Sequence, residues 1–200
     1  MRKCVSWFEA CGFNEVTVIL KLSDNPPSLS SEVFDLNELQ GDWWVAHTKS
    51  RAEKALAWDL LEHSVPYFLP MVRKNMLWGG RRRTLLLPLF ASYIFVCGSP
   101  EDRYKTLRTN RVCQMIPVTQ RQQFLAELNA IRYAIESDAP IQLYPYAAVG
   151  RRCRVAKGAL RGIEGIVAQT RTGTRLMLQV SMLGQSASLE IFAEDLEPLD

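Results

Sequence analysis

Hydrophobic and polar positions change their period several times along these 200 residues, and each change predicts an element. Trp43-Trp44-Val45-Ala46-His47 is an aromatic, β-prone run that predicts a strand. Ala52, Leu56, Leu60 and Leu61 then recur at helical spacing through about His63, with Ser50 as N-cap and Glu53 as its capping-box partner. Residues 65–72, short and marked by Pro66 and Pro70, read as a strand near a sheet edge. Residues 73–83 set Gly79-Gly80 between basic flanks, the pattern of a hairpin tip or exposed loop. The strongest apolar stretch is 85–96, and its second half, 90–96, predicts a central strand. A short helix over Pro100–Arg108 and a strand over Val112–Pro117 follow. A long amphipathic helix over 120–136 comes next, with Phe124, Leu125, Leu128, Ile131 and Ile135 on its apolar side.

After Tyr146 the pattern turns to short alternating strands, near 152–155, 162–167, 175–180 and 188–191, separated by glycine turns. That is the pattern of a small all-β barrel. The expected organisation is an unassigned extension over 1–40 that contains a turn-rich segment at 23–31, an α+β domain with a mixed sheet and flanking helices over 41–137, a linker over 138–145, and an all-β domain over 146–200.

Composition narrows the function. Hydrophobic residues at 48% and charged residues at 22% are those of a globular protein. The net charge of +3 is too balanced to announce nucleic-acid binding, so any such contact must be local. Cys4, Cys11, Cys97, Cys113 and Cys153 form no CxxC pair and no zinc spacing, and read as reduced cytoplasmic thiols, with Cys97 and Cys153 as small buried hydrophobes. No run of about 18 apolar residues predicts a membrane span, and no signal-peptide pattern opens the chain. Only His47 and His63 are present, neither in a catalytic motif, and no phosphate loop or metal-ligand spacing appears. The expectation is a binding protein rather than an enzyme, without cofactor or metal.

Two segments carry a family resemblance. Trp43 to Lys49 followed by Glu53-Lys54, then Pro66-Tyr67-Phe68-Leu69-Pro70, then Pro88-Leu89-Phe90-Ala91-Ser92-Tyr93-Ile94-Phe95-Val96, resembles in order the amino-terminal domain of the NusG family, with Ala91-Ser92 standing where that family has Pro-Gly. Residues 150–167, from Gly150-Arg151-Arg152 to Gly165-Ile166-Val167, are similar to a KOW motif, whose glycines permit the tight loop between two strands. The resemblance implies an α+β NusG-type domain followed by an SH3-like KOW barrel. It further implies a transcription elongation, termination or antitermination factor, either the housekeeping protein or a specialised paralogue.

By the same resemblance, the first domain binds the clamp helices of RNA polymerase through His47, Phe90, Tyr93 and Phe95, and the KOW domain recruits a ribosomal protein or termination factor. Phe90 and Phe95 suit a core as well as an interface. Lys49 and Arg51 match a region that contacts displaced DNA in specialised paralogues, and Arg73, Lys74, Arg81, Arg82 and Arg83 form a basic loop facing either solvent or upstream or non-template DNA. A ribosome-associated or free RNA-binding KOW protein is the alternative, though such proteins are normally more basic.

Overall fold

The computed structural model describes residues 22–30, 35–78, 81–144, 150–170 and 173–199. Its elements are β1 (Asp42–Thr48), α1 (Glu53–Glu62), β2 (Tyr67–Phe68), β3 (Met71–Trp78), β4 (Arg81–Pro88), β5 (Tyr93–Gly98), α2 (Pro100–Arg108), β6 (Val112–Pro117), α3 (Arg121–Glu136), β7 (Ile141–Tyr144), β8 (Arg151–Val155), β9 (Glu164–Thr170), β10 (Gly173–Val180), β11 (Gln185–Glu190) and β12 (Leu196–Pro198). The chain divides into two compact units: Met1–Asn25 with Arg73–Leu87, and Pro26–Val72 with Pro88–Asp200. In the first, β3 and β4 pair as a two-stranded ribbon, cross-linked by the Thr84 hydroxyl donating to Asn75 Oδ1 at 2.8 Å. The basic residues 81–83, expected at a hairpin tip or in an exposed loop, lie on strand β4 of this ribbon, while Gly79-Gly80 falls outside the described residues.

In the second unit, four antiparallel strands run in the order β2-β5-β1-β6. Strand alternation sends Trp43, Val45 and Phe95 to one face, where Phe124 of α3 meets Trp43 and Phe95 edge to face with ring centroids at 5.9 and 5.6 Å. Trp44, Ala46, Ile94 and Val96 are buried on the opposite face, the side of α1, whose Leu56, Ala57 and Leu60 are buried in turn. Helix α2 starts as its sequence dictates. Ser99 Oγ accepts the Asp102 N–H at 3.2 Å, the Asp102 carboxylate accepts the Ser99 N–H at 3.0 Å, and Pro100 fills the first turn. The Ser99 backbone bond holds the Asp102 carboxyl below the usual carboxylate range.

Three boundaries differ from expectation. Helix α1 begins at Glu53 with Ala52 as an N-cap that has no side-chain bond, because Arg51 takes a left-handed φ of 57° and turns the chain away from Ser50. The central strand starts at Tyr93 rather than Phe90, since Leu89 to Ser92 form a turn. Part of the presumed extension belongs to the domain. Ser28 accepts the Leu69 N–H at 2.7 Å, the Tyr67 hydroxyl donates to Pro27 at 3.0 Å, and Leu36 is fully buried with its N–H on Asn129. Irregular backbone held by such bonds has no periodicity to betray it. Residues 1–21 and 31–34 lie outside the described residues.

The carboxy-terminal strands form a six-stranded antiparallel sheet in the order β12-β8-β9-β10-β11-β7, consistent with the expected all-β domain. The β8–β9 loop closes on Val155, which donates to Ile163 at 2.9 Å and accepts from Gly162 at 2.8 Å, with Gly158 and Gly162 at positive φ of 79° and 91°. A Cβ on Gly165 would lie 2.7 Å from the Met177 carbonyl, so the close approach of β9 to β10 requires glycine there. The segment expected as linker is different. Ile141–Tyr144 is strand β7, with Ile141 opposite Leu189 and Leu143 opposite Ala187, because Ile141 caps the same apolar core. Pro145 lies outside the described residues.

A fragment beginning at Ile141 should therefore show a cooperative β-type thermal transition by circular dichroism. One beginning at Tyr146, which leaves the β11 edge unpaired, should melt at a lower temperature or not cooperatively.

Candidate functional site

The last residues of β1 and the first of β5 meet at one end of the amino-terminal sheet. His47 lies directly opposite Tyr93 in the antiparallel register, and the two rings stack with centroids 5.1 Å apart and planes 29° from parallel. Both residues are half-buried. Phe95 shares their face, as alternation requires, but two residues deeper it is completely buried. It is ringed by Phe68, Phe90 and Phe124. Phe90 is likewise 1% exposed. Phe90 and Phe95 are thus core residues rather than surface anchors: the Phe124 ring of α3 covers the part of the face that alternation alone leaves open. The sequence-derived set is brought together only as far as His47 and Tyr93.

Three loops close this end of the sheet, each through a non-glycine residue at positive φ: Arg51 at 57°, Ser92 at 65° and Asn110 at 57°. Left-handed backbone costs about 1–2 kcal/mol for an L-residue and persists where neighbours over-determine it. Here they do. Thr48 donates to the Ser92 carbonyl at 2.9 Å, Lys49 donates to the Arg111 carbonyl at 2.8 Å, and the Lys49 ammonium donates to Asn110 Oδ1 at 3.0 Å. Arg111 is paired with Asp59 of α1, tying α1 to the α2–β6 loop. The Glu53 carboxylate, buried at 7% exposure, accepts the Ser92 N–H at 2.5 Å. Ser92, standing where the resembled family has glycine, adopts a conformation that favours glycine. Lys49 and Arg51 are both exposed at this end.

The roles of Glu53, Ser92 and Asn110 escape sequence reading, because Glu53 looks like a capping residue and Asn110 like an ordinary turn former. The Ala91-Ser92 departure was the available signal. His63 sits exposed at the C-cap of α1. Arg73, Lys74, Arg81, Arg82 and Arg83 are exposed on the β3–β4 ribbon. Burial pushes the Cys97 thiol up to about 11, which makes it an unreactive core group. Among the described residues, no group of three His, Cys, Asp or Glu side chains gathers to hold a metal ion, and no helix is long and apolar enough to cross a membrane. A cleft of 1170 Å³ between α3 and the carboxy-terminal sheet is lined by Arg132, Arg152 and Arg161 together with Glu127, Glu136 and Glu164. Its mixed signs single out no ligand chemistry.

Comparison with known proteins decides the family. The family model described as transcription termination factor nusG matches residues 41–130. The amino-terminal domain belongs to the NusG family. The chain is accordingly a transcription factor in the general sense of that family. A solved structure concerned with domain interaction in Thermotoga maritima NusG is similar at 14% identity with a TM-score of 0.46, covering 80% of this chain and 98% of that one. A search of curated proteins finds no match. The matched span of the NusG-family domain contains the His47–Tyr93 stack, the Glu53–Ser92 bond and the β3–β4 ribbon.

The burial pattern separates two classes of aromatic residue in this domain. Phe95→Ala should destabilise by about 3–5 kcal/mol in urea unfolding, as expected for a large buried ring, whereas Tyr93→Ala at the half-exposed end should cost about 1 kcal/mol.

Proposed function

We propose that this chain is a non-enzymatic elongation factor that docks on RNA polymerase through the sheet end bearing His47 and Tyr93, and so modulates pausing, termination or antitermination. The observation that carries this reading is the stacked, half-exposed His47–Tyr93 pair, held on a backbone that three strained loops fix in one geometry. A rigid aromatic patch with polar tips is the kind of surface that anchors a protein interface, because little side-chain freedom is lost on binding. Clamp helices are a fitting target, since such a patch can seat apolar side chains from a helical surface while the rim stays wet.

Lys49 and Arg51 lie on the rim of that patch. Their charges suit phosphate contacts with displaced DNA, which would steer the complex without reading sequence. The β3–β4 ribbon, with Arg73, Lys74, Arg81, Arg82 and Arg83, provides a separate basic surface for upstream or non-template DNA. The carboxy-terminal sheet recruits a second protein, a ribosomal protein or a termination factor. Phe192, 74% exposed between β11 and β12, supports this as an apolar anchor. The site of action on this reading is the cytoplasm, beside the transcribing polymerase.

Tyr93→Asp should leave the fold intact and weaken binding to core polymerase by at least about tenfold, or ~1.4 kcal/mol, since it sets a charge in a desolvated contact. Unchanged affinity would show that this face is not the contact. Arg82→Ala should alter polymerase affinity little. Replacing Arg81, Arg82 and Arg83 together should lower the salt dependence of binding to a DNA-containing elongation complex, by up to about 0.9 in the log–log slope for each phosphate no longer neutralised.

A further inference from the structure

Glu53 does not do what its position in the sequence suggests. It opens α1, where a glutamate ordinarily serves its own helix terminus, yet the N-cap Ala52 makes no side-chain bond and the Glu53 carboxylate reaches across to the β4–β5 turn. There it accepts the Ser92 N–H at 2.5 Å from a nearly buried position. The Ser92 carbonyl is held on the other side by the Thr48 N–H at 2.9 Å, so both backbone groups of this one strained residue are fixed, one by α1 and one by β1. The next residue is Tyr93, whose ring lies on His47.

We propose that Glu53 is a positioning residue for polymerase binding: its buried carboxylate holds Ser92 in the left-handed turn that seats Tyr93 on His47. The inference rests on the reading of the His47–Tyr93 face as the polymerase contact. Burying a carboxylate is costly unless strong hydrogen bonds replace its water. The bond that compensates Glu53 acts on the turn and not on the sheet ladder, since β1 and β5 pair from Asp42–Gly98 to His47–Tyr93 through their own backbone groups. A glycine at position 92 would adopt φ near 65° without strain, whereas serine needs an outside constraint to remain there. Losing the acceptor would let Ser92 relax toward negative φ, rotating the following peptide and swinging the Tyr93 ring off His47.

The test uses the full chain with two readouts, the ring-current shift of the His47 imidazole protons by proton NMR and the affinity for core RNA polymerase. Glu53→Leu keeps the buried volume but removes the acceptor. It should abolish most of the ring-current shift and weaken binding by about tenfold. Glu53→Gln retains an accepting oxygen and should keep the shift and stay within about threefold of the parent affinity. Adding Ser92→Gly to Glu53→Leu should restore part of both, because glycine holds the turn unaided. A Glu53→Leu protein with the His47 shift intact overturns the proposal, as does a Glu53→Gln protein that loses as much as Glu53→Leu. Should Glu53→Leu fail to fold, the double variant decides: folding with a recovered shift supports the positioning role, and failure to fold reduces Glu53 to a core residue and overturns it. Loss of the shift with undiminished polymerase binding would instead refute the assignment of the face, a result separable from failure of the Glu53 bond.

Discussion

The structure of the larger unit depends on α3 being buried from two sides. On one side Phe124 meets Trp43 and Phe95 of the amino-terminal sheet. Beyond it Leu128, Ile131 and Ala134 join one continuous apolar cluster with Leu176, Leu178, Val180, Ala187 and Leu189 of the carboxy-terminal sheet. A polar fastening runs alongside. The Glu127 carboxylate accepts the Ser181 N–H at 2.9 Å and its hydroxyl at 2.6 Å, and Gln123 reaches the same hydroxyl at 3.2 Å. A helix with one apolar stripe would serve one sheet; the breadth of the apolar arc on α3 lets it serve two.

Among the described residues, Phe124 of α3 meets Phe95, whereas Tyr93, two residues earlier on the same strand, has its ring on His47, so that a half-exposed aromatic pair sits on the same face as a fully buried ring. The gradient from Phe95 to Tyr93 is one of depth within a single face: the same alternation delivers both rings, and the reach of α3 determines which is sealed. The loops that close the end carry the backbone strain, and the groups that hold them are a carboxylate, an ammonium and a guanidinium with defined partners. Rigidity at the site therefore comes from polar bonds between loops, whereas rigidity of the domain comes from apolar packing.

Much of the fold was legible because its periodic elements are strong. The stripe of Phe124, Leu125, Leu128 and Ile131, the aromatic run at Trp43, and the alternating strands after Tyr146 each correspond to an observed element. The failures share a physical cause. Residues 26–30 and 35–40 are fixed by backbone bonds to Tyr67 and Leu69 and by the side-chain oxygen of Asn129, interactions that leave no hydrophobic period. Ile141–Tyr144 is a strand of four residues beside a proline, shorter than pattern reading resolves. In the site, strand alternation correctly grouped His47, Tyr93 and Phe95, but burial depends on a helix some thirty residues further on, which no local pattern reports. Glu53 was misread because capping and reaching across to another loop use the same residue type at the same position.

The shortness of the connection between α3 and β7 has a mechanical meaning. Only residues 137–140 separate Glu136 from Ile141, and four residues span at most about 14 Å when fully extended. With β7 zipped to β11, this short connection by itself keeps the carboxy-terminal sheet close to the end of α3. A longer excursion requires unpairing β7 first, which would more than double the leash. The strand thus holds chain length in reserve, and the cost of peeling it from β11 sets a threshold on how far the carboxy-terminal sheet can range from the amino-terminal domain.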